Sequence, residues 1–139
     1  MKAPLNRLFV QVVKLHIQQS RDIFGSLGLS RGQPPVLLFL GEEDGQTQSA
    51  LSEKVQIRPA SLSAILQRME QAKLVERRSH HTDHRAVQVY LTDLGRKRHQ
   101  AVQKALGELE QIMFADFAES ERSEFRRFLE RIKGNLEKM

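Results

Sequence analysis

The chain has 139 residues, 40% hydrophobic and 28% charged, the composition of one globular domain with at most an extra helical layer. It has no cysteine, which excludes disulfides, thiolate metal sites and cysteine-based redox sensing. Its 22 basic and 17 acidic residues leave a net charge of +5, and the excess is local: Lys54 to Arg98 holds ten basic against four acidic residues. A basic middle between near-neutral ends points to an anionic partner, nucleic acid first.

The longest unbroken apolar stretch, Val36 to Leu40, is five residues, against about 18 for a bilayer-spanning helix. Gln11 and Lys14 interrupt the apolar residues near the N-terminus, so no secretory leader is read there and a cytoplasmic location is expected. From Leu5 to about Phe24, apolar residues at 5, 8, 9, 12, 13, 23 and 24 follow helical period, and Gly25 and Gly28 are expected to end the helix. A second helix carries Val36 to Leu40. Ser30 and Gln33 resemble a capping box, but Pro34 and Pro35 belong in a first turn, so the start falls nearer Gln33. Gly41 to Gly45 is read as a turn.

Thr47 can cap a short third helix, Gln48 to Val55, and the turn Gln56-Ile57-Arg58 leads into a fourth that starts at Pro59. Leu62, Ile65, Leu66 and Met69 form the apolar stripe of that fourth helix. The period then changes to two. A strand from Leu74-Val75 to Ser79, a polar turn at His80 to His84 and a returning strand through Val87, Val89 and Leu91 make a hairpin. Thr92 caps a long helix with Asp93 at its positive end, and Ser120 is expected to cap a last helix bearing Phe125, Phe128, Leu129, Ile132 and Leu136.

Short helix, tight turn, helix and hairpin together read as a helix-turn-helix with a wing, mainly α with a small β-hairpin. The second helix of such a pair fits a DNA major groove. Its outer face is Ala60, Ser63, Ala64, Gln67 and Gln71, flanked by Ser61 and Arg68. Ser63 and Gln67 can hydrogen-bond to bases, and Arg68 can reach a phosphate or guanine. Arg77, Arg78 and Arg85 surround the wing loop, and Asp83 is placed to orient Arg85 through an ion pair. An arginine at a wing tip can enter the narrow minor groove.

The run Leu74 to Gly95, LVERRSHHTDHRAVQVYLTDLG, resembles the wing of the MarR (multiple antibiotic resistance regulator) family. The resemblance rests on Leu74, Val75, Glu76 and Arg77, then Asp83 and Arg85, then Val87, Val89, Leu91 and Thr92. It implies a winged helix-turn-helix regulator of transcription, usually a repressor, that binds a pseudo-palindromic duplex as a homodimer. It also implies release of DNA by a small aromatic or anionic effector. On that reading residues 30–92 form the DNA-binding domain, and 1–29 with 93–139 form the helical dimerisation region. Arg58, Ser61, Ser63, Gln67, Arg68, Arg77, Arg78, His81, His84 and Arg85 are the expected DNA contacts. His16, Phe24, Phe39 and Arg98 are the candidate effector residues. The chain departs from the family pattern at Ala64, where an arginine is common, and at Lys73, where glycine is usual. A left-handed Lys73 would cost roughly 1 kcal/mol.

Two other readings compete. His80, His81 and His84 could serve a metal-sensing regulator, but one nearby carboxylate and no cysteine make a poor zinc site, and neither a metal nor a cofactor is expected. The terminal helices could belong to a pure protein-interaction module. No G-x-S-x-G, P-loop or H-E-x-x-H pattern supports an enzyme.

Overall fold

Thr47 opens the central part of the chain, and its hydroxyl oxygen accepts the Ala50 N–H at 3.1 Å, capping α3 (Gln48–Val55). Gln56 then turns the chain with φ +59°, and the Ser52 hydroxyl donates to the Ile57 carbonyl across the turn. Pro59 starts α4 (Pro59–Gln71), where its missing N–H costs nothing. The computed structural model describes residues 1–79 and 86–139.

The remaining elements are α1 (Leu5–Ser26), α2 (Gln33–Glu42), β1 (Gln46–Thr47), β2 (Val75–Ser79), β3 (Val87–Leu91), α5 (Asp93–Met113) and α6 (Glu119–Glu137). Two compact units divide the chain at Leu106–Gly107.

In the first unit one apolar core joins the helix pair to the sheet. Val36, Leu37 and Leu40 of α2, Leu51 of α3, and Leu62, Leu66 and Met69 of α4 are fully buried, with Val89 of β3 and Val102 of α5. The stripe expected on α4 therefore faces inward as its spacing requires. Gly32 sits before α2 with φ +88°, and a side chain there would meet Ile65 of α4. The Gln33 side chain accepts the Ser30 N–H at 3.3 Å, which is one half of the expected capping box.

The sheet has the order β1-β3-β2 and is antiparallel throughout. Val75 pairs with Leu91, Arg77 with Val89, and Ser79 with Val87. The hairpin expected from alternation is thus present, with a third strand added at its edge. β1 is only two residues long, too short to show a period, and tertiary bonds hold it. The buried Gln46 amide donates to the carbonyls of Phe39 (2.8 Å) and Glu43 (2.7 Å), which closes the end of α2. Asp44 accepts the Leu91 N–H at 2.8 Å, and Gln88 donates to the Gly45 carbonyl at 3.0 Å.

The base of the hairpin meets the start of α5. The Thr92 hydroxyl accepts the Gly95 N–H at 2.9 Å, as expected of the cap, and donates to the Lys73 carbonyl at 2.6 Å. Gly95 packs directly on the Leu74 carbonyl, an approach that any side chain would block. Lys73 has φ +62°, so it adopts the left-handed conformation.

Four boundaries differ from the sequence reading. Gly25 lies inside α1, which runs to Ser26, and the positive φ comes at Gly28. Gly41 and Glu42 complete α2, so the turn is shorter than Gly41 to Gly45. β2 begins at Val75 rather than Leu74. Ser120 does not cap α6: the helix starts at Glu119, and the Glu121 carboxylate accepts the Ala118 N–H at 2.8 Å from within the first turn. This is the returning half of a capping box: it satisfies the Ala118 N–H, while the alanine side chain at the cap position cannot accept an N–H of the first turn.

The second unit holds the end of α5 and α6. Phe114 meets Phe117 edge-on at 5.5 Å between centroids and Phe125 at 5.6 Å. Phe125, Phe128, Leu129, Ile132 and Leu136 form an exposed apolar face on α6. In the first unit, Leu5, Leu8, Phe9, Val12, Val13 and Ile17 are likewise exposed along α1.

Candidate nucleic-acid interface

At about 100° per residue, α4 places Ala60, Ala64, Gln67 and Gln71 opposite its buried stripe. Each of these four is exposed. Ser61 and Arg68 lie on one flank of that face, both exposed, and Ser63 lies on the other flank, half-buried. Alanines at 60 and 64 keep the middle of the face low, so a flat surface can come close to the backbone. Arg58 stands exposed before the helix with no capping bond, its guanidinium available beside the helix N-terminus. The structure thus brings Arg58, Ser61, Gln67 and Arg68 onto one solvent-facing side, with Ser63 at its edge.

The wing strand approaches the Ser63 flank. Arg77 follows Val75 at period two and so points to the same side of the sheet, toward α4. It is half-buried. Its Nε donates to a carboxylate oxygen of Glu70 at 2.6 Å, and its Nη2 lies 2.5 Å from the same oxygen in an ion pair. Its Nη1 reaches Gln48 Oε1 at 3.3 Å and Ser63 Oγ at 3.4 Å. Glu70 and Gln48 escape a reading by helix faces alone. The available signal was an arginine at an inward strand position, which needs a carboxylate partner.

Arg78 is on the opposite, exposed side. Its guanidinium pairs with Glu76 at 2.9 Å and lies over the Tyr90 ring, 4.3 Å from the centroid. The hydrogen bond to Glu76 pushes its pKa up from the ordinary arginine value, so it is a fixed cation. His81, Asp83, His84 and Arg85 lie outside the described residues, as does His80 of the metal reading.

The four candidate effector residues fall in different surroundings. Phe24 and Phe39 are partly buried and pack against the core. His16 is exposed on α1, about 12 Å along the helix from Phe24 at 1.5 Å per residue. Arg98 is half-buried on α5. Its neighbour His99 is half-buried, with its ring covering Gly41 of α2 and its Nδ1 buried.

Comparison with known proteins follows this geometry. Residues 27–86 match the model of the MarR family. The uncharacterized HTH-type transcriptional regulator YdgJ of Bacillus subtilis (strain 168) is 31% identical over 109 residues, covering 78% of this chain. The match spans 66% of that relative, slightly under two thirds of its length. Among solved structures, a MarR transcriptional regulator from Methanosarcina mazei Go1 superposes with a TM-score of 0.82 at 25% identity, over 97% of this chain and 98% of that one. The MepR–DNA complex of Staphylococcus aureus has the same fold, with a TM-score of 0.81 at 23% identity over 97% and 99% of the two chains. Matched family model, related sequence and shared fold agree with the wing residues, and the chain belongs to the MarR family of transcriptional regulators.

Proposed function

We propose that this chain is a homodimeric, sequence-specific DNA-binding regulator that represses transcription from a pseudo-palindromic operator in the cytoplasm. The observation that carries the reading is the two-sidedness of α4. Its apolar side is locked into the core, while Ala60, Ser61, Ala64, Gln67 and Arg68 face solvent beside Arg58. A short polar helix face with small residues at its centre and cations at its margins suits entry into a major groove. That MepR, a protein of the same fold, was crystallised with DNA supports this reading.

In this proposal Arg58, Arg68 and Arg78 meet phosphates, and Ser61, Ser63 and Gln67 meet base edges. His81, His84 and Arg85 extend the contact from the wing, with Asp83 orienting Arg85. Arg77 stands behind this face, against Glu70. The exposed apolar faces of α1 and α6 supply the surface between two copies. A two-fold pair would set the recognition helices about 34–36 Å apart, one turn of DNA. A small aromatic or anionic effector near His16, Phe24, Phe39 and Arg98 would release DNA by favouring a dimer geometry that does not match this spacing.

Fluorescence anisotropy tests the reading. The probe is the duplex upstream of the protein's own gene, set against a scrambled duplex from about 50 to 200 mM salt, where phosphate contacts weaken steeply. Sequence-preferring binding that falls with salt is expected. Absence of binding to either duplex at the lowest salt would refute it.

A further inference from the structure

Three hydrogen bonds and an ion pair already engage Arg77 inside the protein. Nε and Nη2 are held by Glu70 of α4 at 2.6 and 2.5 Å, and Nη1 points at Gln48 Oε1 and Ser63 Oγ at 3.3 and 3.4 Å. A guanidinium has five N–H donors and no acceptor. The side chain is only 23% exposed, and Glu70 opposite it is 35% exposed. An arginine so engaged has little left to offer a phosphate. It does, however, act on a neighbour that faces DNA. Ser63 lies at the edge of the outer face of α4, and its hydroxyl has one proton to give and two lone pairs to receive. With an N–H of Arg77 on one lone pair, the hydroxyl proton and the second lone pair face away from the wing, and the cation behind the oxygen polarises the O–H toward donation.

We infer that Arg77, anchored by Glu70, is a positioning residue that favours Ser63 as a hydrogen-bond donor toward the base it meets. This rests on the proposed DNA-binding function and specifies how the site reads sequence. In the major groove guanine offers O6 and N7, thymine O4 and adenine N7, all acceptors, whereas cytosine offers its N4 amino donor. A hydroxyl polarised to donate therefore disfavours cytosine on the strand it contacts. Ion pair and hydroxyl together give a preference to a short side chain that would otherwise accept or donate with equal ease.

The experiment is selection from a random duplex pool with the full-length protein, followed by anisotropy on the enriched duplex. The variants are S63A, the charge-balanced double E70Q/R77M, and E70A, which frees the guanidinium while keeping it. Wild type enriches a motif, and S63A relaxes one position in each half-site, which identifies the base that Ser63 meets. E70Q/R77M then admits cytosine at that same position with at least a fivefold gain in relative enrichment. Its dependence of log affinity on log salt stays that of wild type. E70A relaxes the same position and serves if the double variant fails to fold by circular dichroism. Retained exclusion of cytosine in the folded variants overturns the inference. So does a salt slope in E70Q/R77M that falls by about 0.9 per phosphate lost, which would make Arg77 a phosphate contact. If wild type enriches no motif at all, the DNA-binding proposal itself falls and this inference with it.

Discussion

Thr92 joins three elements through one hydroxyl, and its replacement by valine measures what that junction contributes. Valine keeps the branched shape and removes only the oxygen. Two bonds go with it: the cap on the Gly95 N–H at 2.9 Å and the donation to the Lys73 carbonyl at 2.6 Å. Loss of a helix cap costs about 0.5–2 kcal/mol. The second bond contributes about 0.5–1.5 kcal/mol, toward the low end because its site is exposed and the Lys73 carbonyl can be rehydrated. Thr92→Val should therefore destabilise by about 1–3 kcal/mol. Thr92→Ser keeps both bonds and loses one methyl group, at most about 0.8 kcal/mol. Urea unfolding followed by far-ultraviolet circular dichroism, at one fixed protein concentration, measures both variants against wild type. Equal stability of the valine and serine variants would refute the bridging role of the hydroxyl.

Three further outcomes follow from the same structure. Lys73→Gly removes a left-handed strain of about 1–2 kcal/mol but adds unfolded-state entropy of about 0.4–1 kcal/mol, so the urea midpoint should rise modestly; a fall would contradict the strain. Gly95→Ala drives a methyl group into the Leu74 backbone carbonyl, and overpacking of this kind costs about 1–3 kcal/mol, read by the same titration. The double change Phe125→Asp and Phe128→Asp on the exposed face of α6 should convert a species of twice 16.0 kDa into one of 16.0 kDa by light scattering, and wild type already at 16.0 kDa would remove the proposed homodimer.

What the sequence disclosed and what it hid divide along physical lines. The inward stripe Leu62, Ile65, Leu66 and Met69 was legible because burial imposes the helical period on whichever residues face the core. Thr47 and Thr92 were legible as caps because a side-chain oxygen ahead of a helix has one near-obligatory partner. β1 was not: two residues carry no period, and the strand exists because Gln46 reaches back to α2 while β3 pairs alongside. Ser120 misled because the helix starts before it: Ala118 takes the cap position without a side-chain oxygen, and Glu121 reaches back to the Ala118 N–H alone. At the candidate site, the exposed side of α4 could be listed from spacing alone. The Glu70–Arg77 pair could not, since it appears only when a helix face and a strand face are laid against each other. The same limit applied to Phe24 and Phe39, whose aromatic character suits a pocket and a core equally well.

Hydroxyl-radical footprinting on the enriched duplex tests the central claim most directly, because it reports where the protein lies on DNA. Two recognition helices and two wings predict a two-fold pattern, with paired protections whose centres repeat at about 10–10.5 base pairs. A single protected patch would contradict the paired recognition helices, and uniform weak protection along the duplex would contradict sequence-specific binding.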